Sequence, residues 1–156
     1  MAQIGDRLSK HFMLREMTTT SSGLANQPAS PQVLANMRTL CEQILEKVRA
    51  HYGRPVIIHS GYRSPAVNKA VGGSPTSQHV KGEAVDFHVS GHSVYEVATW
   101  ISETLDYDQL ILENFLPGLP TSGWVHCSFA INNRGQDLTK FKGSKIYYPG
   151  IIIRPE

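Results

Sequence analysis

The 156-residue chain is poor in cysteine: Cys41 and Cys127 are its only two. That is too few for the disulfide framework of a small secreted fold, and neither has a partner at the spacing of a structural zinc site. Cys41 falls in a helical apolar stripe and Cys127 in an alternating strand pattern, both settings for buried thiols. No apolar run approaches the roughly 18 residues of a membrane span, which excludes stable membrane insertion through a helix. The opening Met-Ala-Gln-Ile-Gly-Asp-Arg has no apolar stretch long enough for a signal peptide. Synthesis in the cytoplasm is therefore expected, with some other exit if the protein works outside. Charge is sparse as well, at 18% of residues and a net +2. No basic stripe is present, so a dedicated nucleic-acid binder is excluded, although the balance suits weak attraction to an anionic polymer. No internal repeat is visible.

What is present suits one domain, 1–156, long enough to bury a core unaided. Residues 1–30 read as an irregular arm, with an apolar patch at 11–17 followed by Thr/Ser/Gly loop chemistry. Ser30-Pro31 is an N-cap with proline at the first helical position. Val33, Leu34, Met37, Leu40, Cys41, Ile44, Leu45 and Val48 then recur at three- and four-residue steps, predicting an amphipathic helix that ends near Gly53. Strands are expected at 55–60, 83–89, 109–113 and 124–129, a helical turn at 64–70, and a second helix over 93–105 capped by Ser93. From about 132 the tail shows little pattern beyond Ile146-Tyr147-Tyr148. Helices and strands mix without regular βαβ alternation, which predicts an α+β fold with a small, mostly antiparallel sheet and helices packed on one side.

Seven histidines are available for chemistry. His79 and Asp86 are separated by a turn at Gly82, a residue able to adopt backbone angles closed to others. On the strand at 124–129, Trp124, His126 and Ser128 share one face, while Val125, Cys127 and Phe129 share the other, core-like face. If that strand lies beside 83–89, His126 and Asp86 can converge with His79. Two imidazoles and a carboxylate make a three-ligand catalytic zinc set with a position left for water. Spacing alone leaves this open. A His and an Asp seven apart are common, a strand histidine is ordinarily a hydrogen-bonded core or surface residue, and His88 shares the Asp86 face and competes as a ligand. His59 and His92 flank the strands without a defined role.

The ordered motifs carry more. Ser60-Gly61-Tyr62-Arg63-Ser64-Pro65, Asn68, Val71-Gly72-Gly73, the run from Ser77 through His79 and Gly82 to Asp86, and Trp124-Val125-His126 resemble the D-alanyl-D-alanine metallopeptidases. These are zinc carboxypeptidases and endopeptidases of peptidoglycan, including many phage endolysins, and the hedgehog signalling domain shares their fold. The resemblance covers roughly residues 10–130, and its specificity lies in the combination.

The resemblance implies one zinc ion held by His79, Asp86 and His126. It implies that Arg63 holds a substrate carboxylate or carbonyl, for which a guanidinium is a fixed fork. Ser77 stands where the family places a small polar residue that binds substrate or orients the loop. Many relatives have an acid three positions before the last histidine. Here that position is Gly123, so Glu113, at the end of the preceding strand, becomes the candidate general base, with 114–123 inserted between base and ligand. The implied activity is zinc-dependent hydrolysis of a peptide bond in peptidoglycan stem peptides or cross-links by a monomer acting on the cell wall, as in phage lysis. The alternative is a non-catalytic zinc-containing wall- or protein-binding module of the same fold.

Overall fold

The computed structural model describes residues 6–28 and 30–155, so Met1 to Gly5 and Ala29 of the arm and Glu156 of the tail lie outside the described residues. The first long helix begins where Ser30 caps it, its hydroxyl accepting from the Val33 N–H at 3.2 Å. It runs as α2 (Pro31–Leu40), passes through a π turn (Cys41–Leu45) and continues as α3 (Glu46–Tyr52) to Gly53, whose φ of +62° ends it. Before it comes a short helix, α1 (Leu14–Thr18). After it come β1 (Val56–Ser60), α4 (Pro65–Ala70), β2 (Ala84–Val89), α5 (Val94–Thr104), β3 (Gln109–Phe115), β4 (Trp124–Ser128), β5 (Gln136–Phe141) and β6 (Tyr147–Pro149). No helix among the described residues is long and apolar enough to cross a membrane.

The strands form one six-stranded sheet in the order β1-β2-β4-β3-β5-β6. All neighbours are antiparallel except β3 and β5, which run parallel. Period-two alternation gives this sheet two unlike faces. Val85, Phe87 and Val89 of β2, Val125 and Cys127 of β4, and Leu110 and Leu112 of β3 join one buried apolar cluster. Met37, Leu40, Ile44, Leu45 and Val48 from the first long helix, and Val94, Val97, Ala98 and Ile101 from α5, complete it. The fold is therefore α+β, with its long helices on one face of the sheet. The opposite face carries Asp86, Glu113 and His126. Both cysteines are free and buried, and burial pushes the Cys41 thiol up to about 12.

Two segments are more ordered than their sequences suggest. The arm puts Leu8, Phe12, Leu14 and Met17 into the core. It is fastened by the Tyr62 N–H donating to the Met17 carbonyl at 2.7 Å. Gly61 makes this approach possible, because a Cβ there would lie 2.7 Å from the same oxygen. The buried Asn26 amide donates to the Thr18 and Tyr62 carbonyls, and its oxygen accepts from the Ser64 N–H at 2.7 Å. In the tail, β5 escaped notice because a polar residue holds a core position. Thr139 is fully buried, and its hydroxyl donates to the Gly150 carbonyl at 2.7 Å and accepts from the Ile152 N–H at 3.0 Å.

The connection from β4 to β5 crosses the start of β3 and is stapled there. Asp108 precedes β3 and accepts from the backbone N–H and Nε of Arg134 at 3.0 Å each, and from its Nη2 at 2.9 Å. The hydrogen bond from the Arg134 side chain outweighs burial, which pushes the other way, and sets the Asp108 carboxyl below the usual range.

Two measurements test this account. Phe12 is 2% exposed, so Phe12→Ala is expected to lower unfolding free energy in urea by about 3–5 kcal/mol, whereas a loose arm would give a change within about 0.5 kcal/mol. The depressed Asp108 pKa means its stabilisation is full above the ordinary aspartate range and fades as pH falls through the lower folded-state value. The stability difference between wild type and Asp108→Asn is expected to be constant near neutrality and to shrink on strong acidification, read from denaturation midpoints across pH.

Candidate metal centre and its cleft

The register of the sheet builds the site. Asp86 of β2 is paired directly with His126 of β4, and a directly opposed pair on one face brings side chains into contact. The His126 Nδ1 and Asp86 Oδ1 lie 2.9 Å apart. His79 arrives from the preceding loop, folded back by a turn in which the Gly82 N–H donates to the His79 carbonyl at 3.3 Å. Gly82 has φ +74°, and a Cβ there would stand 2.7 Å from the Val33 carbonyl, so the turn needs glycine for both conformation and space.

The His79 Nε2 is 3.5 Å from Asp86 Oδ2, and the two imidazole centroids are 5.2 Å apart. One ligand atom from each of His79, Asp86 and His126 lies within 4.8 Å of the others. His88, the competing ligand, is instead 2.6 Å from His59 Nε2 through its Nδ1. His92 sits beside Glu96.

The chemistry of this donor set fits a divalent metal. His79 Nδ1 is 2.7 Å from the Gly61 carbonyl. A carbonyl can only accept, so Nδ1 carries the proton and Nε2 presents its lone pair toward Asp86, the tautomer and outer-shell support of a metal-ligating histidine. Asp86 is only 7% exposed. Burial pushes its carboxyl up, but the hydrogen bond from His126 and the nearness of the two imidazoles overcome it, leaving the group well below the usual carboxylate range. It is a carboxylate, ready to accept.

Around this cluster lies a cleft of about 690 Å³ that also takes in Arg63, Ser77, Glu113, Trp124 and Tyr147. The Arg63 N–H donates to the His79 carbonyl at 3.0 Å. Its Nε donates to Ser60 Oγ at 3.2 Å, and its Nη2 is 3.6 Å from Asp86 Oδ2. The Ser77 hydroxyl accepts from the His79 N–H at 3.2 Å, an arrangement that orients the loop.

Glu113 is paired with Trp124, diagonal to the Ile111–His126 pair. Burial first, and then the Asp86 charge, raise its carboxyl above the ordinary glutamate value, against the pull of His126, Lys140 and Tyr147. Tyr147 donates to Glu113 Oε1 at 3.4 Å. Sequence reasoning missed Tyr147, although Ile146-Tyr147-Tyr148 was the one patterned stretch of the tail. Gly123 cannot carry an acid in this arrangement: its φ is +71°, and a Cβ would fall 2.1 Å from the Glu113 carbonyl oxygen.

A buried carboxylate between two imidazoles, with a second, desolvated carboxyl in the same cleft, is the kind of site that metal-dependent hydrolases use. Residues 6–128 match the family model described as Peptidase M15, and the chain belongs to that family of zinc-dependent peptidases. None of the curated proteins matches the chain. The match ends at the last residue of β4, so Arg134, β5 and Tyr147 lie beyond it.

Loss of an outer-shell partner typically costs metal affinity about 10–100-fold. Asp86→Asn, which removes the charge of a candidate ligand, is expected to weaken zinc binding by more than about a hundredfold, measured by chelator competition, while the metal-free protein still melts cooperatively.

Proposed function

We propose that this chain is a zinc-dependent peptidase that hydrolyses a peptide bond in the stem peptides or cross-links of bacterial peptidoglycan, acting on the cell wall. Its bond would be that of a D,D-carboxypeptidase or endopeptidase, or of an L-alanyl-D-glutamate endopeptidase. The observation that carries the hydrolytic reading is Glu113, a desolvated carboxyl on the wall of the cleft that holds His79, Asp86 and His126. A non-catalytic metal module has no use for such a group. The order of the Ser60–Pro65, Ser77–Asp86 and Trp124–His126 motifs supports the peptidoglycan substrate.

When bound, zinc supplies a Lewis acid for the scissile carbonyl and acidity for the attacking water. His79, Asp86 and His126 would hold it, with His79 kept in its ligating tautomer by the Gly61 carbonyl. Glu113 takes a proton from the attacking water and passes it to the leaving amine. Burial suits it to this task, because a raised pKa brings the carboxyl nearer the working pH. The Tyr147 hydroxyl, bonded to Glu113 Oε1, holds that oxygen in place. Arg63, steadied by Ser60, offers its remaining N–H groups to a substrate carboxylate or to the developing oxyanion.

The test is digestion of purified peptidoglycan with mass analysis of the fragments, with and without a chelator. Wild type is expected to release new amino groups, and the chelator to stop it. Glu113→Gln is expected to retain zinc and lose turnover by about 10²–10⁴-fold. Full activity in that variant would remove Glu113 from the mechanism. Zinc-loaded wild type that releases nothing would favour the wall-binding module instead.

A further inference from the structure

The peptidase reading uses Arg63 and leaves a second guanidinium of the same cleft unused. Arg134 lines that cleft, from the connection between β4 and β5. Its partner Asp108 is 5% exposed. Asp108 accepts three N–H groups from Arg134, and a fourth from Gln78 Nε2 at 2.9 Å. A carboxylate has about four acceptor positions. Asp108 is therefore saturated and available neither as a metal ligand nor as a base.

Arg134 is in the opposite state. Its side chain keeps 56% of its surface exposed. A guanidinium has five N–H donors, and two of these meet Asp108, so three remain beyond that pair. The bidentate anchor fixes the plane of the fork before any ligand arrives, and a pre-fixed donor loses less conformational freedom on binding an anion. The anchor also fixes where the fork stands. Gln78 adjoins His79, and Asp108 immediately precedes β3, the strand that carries Glu113, so Arg134 is tied to both elements that carry the chemistry. The other cations lining the cleft are Arg63 and Lys81.

We propose that Arg134 is a specificity-determining residue that receives a free carboxylate of the substrate, set apart from the scissile bond, so that the cleft selects anionic peptides. This assignment rests on the peptidase reading for its substrate class, but its geometry is independent of the metal.

The probe is the pentapeptide L-alanyl-γ-D-glutamyl-L-lysyl-D-alanyl-D-alanine, which holds both an L-alanyl-D-glutamyl and a D-alanyl-D-alanine bond, beside two analogues in which either its glutamyl α-carboxylate or its terminal carboxylate is amidated. Binding to metal-free protein is measured by calorimetry, and kcat and KM are measured with zinc-loaded protein. One of the amidations is expected to weaken wild-type binding about tenfold, the scale of a lost charge-assisted hydrogen bond, and to appear in KM more than in kcat. In Arg134→Gln and in Arg134→Lys, which keeps the charge but not the fork, that penalty is expected to fall below about twofold. Cooperative melting of the lysine variant guards against misfolding.

The proposal is overturned if both variants keep the full penalty, if wild type binds all three peptides equally, or if it binds none. Discrimination in binding with cleavage neither of these peptides nor of purified peptidoglycan would sink the peptidase reading and leave Arg134 in its role. Cleavage with an undiminished penalty in the variants would do the reverse.

Discussion

A carboxylate taken out of water costs several kcal/mol unless its lone pairs are met, and Asp86 is such a group. The polar face of the sheet is arranged around that requirement. His126 donates to it from the neighbouring strand, the Arg63 guanidinium stands 3.6 Å away, and His79, on a loop folded back by Gly82, turns its Nε2 toward the same point. Each of the three is then fixed by something behind it: the Gly61 carbonyl for His79, Ser60 for Arg63, and the antiparallel register for His126. Two of the groups gathered around Asp86, His79 and His126, are those that would surround a divalent ion with it. One solution to a desolvation problem thus also assembles a reactive centre.

Much of this was legible in the residues. The helix after Ser30 announced itself through its cap and its three- and four-residue stripe. The strands at β2 and β4 showed their core faces by alternation, and with them the face on which Asp86 and His126 had to lie. Whether those strands are neighbours was not legible, because pairing is a property of the whole sheet. The arm was obscured for a different reason: Leu8, Phe12, Leu14 and Met17 reach the core from turns and a five-residue helix, too short to show a period. Thr139 hid β5 by placing a hydroxyl where the pattern called for an apolar side chain.

The candidate site divides along the same line. His79, Asp86 and His126 stand in ordered motifs and could be singled out from them. Glu113 could be approached only through the resemblance, from the hedgehog-like and phage-like branches that carry the acid at the end of the preceding strand, and the structure supplies the physical reason for its absence at 123: the space beside Gly123 is filled by the Glu113 carbonyl itself. Tyr147 and Arg134 carried no motif, and Gln78 stood only as a variable position inside one. The place of Tyr147 and Arg134 in the cleft depends on the parallel pairing of β5 with β3 and the Asp108 staple, neither of which leaves a local trace.

The loop between Glu113 and Trp124 is closed at its base. Those two residues pair across the antiparallel ladder, and Gly123 packs its backbone against the Glu113 carbonyl. Its tip folds on itself, with the Ser122 hydroxyl bridging the Leu116 and Leu119 backbones. A connector pinched at its neck can change at its tip without pulling on the strands it joins, and beyond the neck the Pro120 carbonyl accepts from the Val94 N–H at the start of α5. Evolution or an engineer can lengthen, trim or exchange residues 116–122 to reshape the rim while the acid and the histidine below keep their separation, which makes this loop a natural place for related enzymes to diverge in the bond they choose.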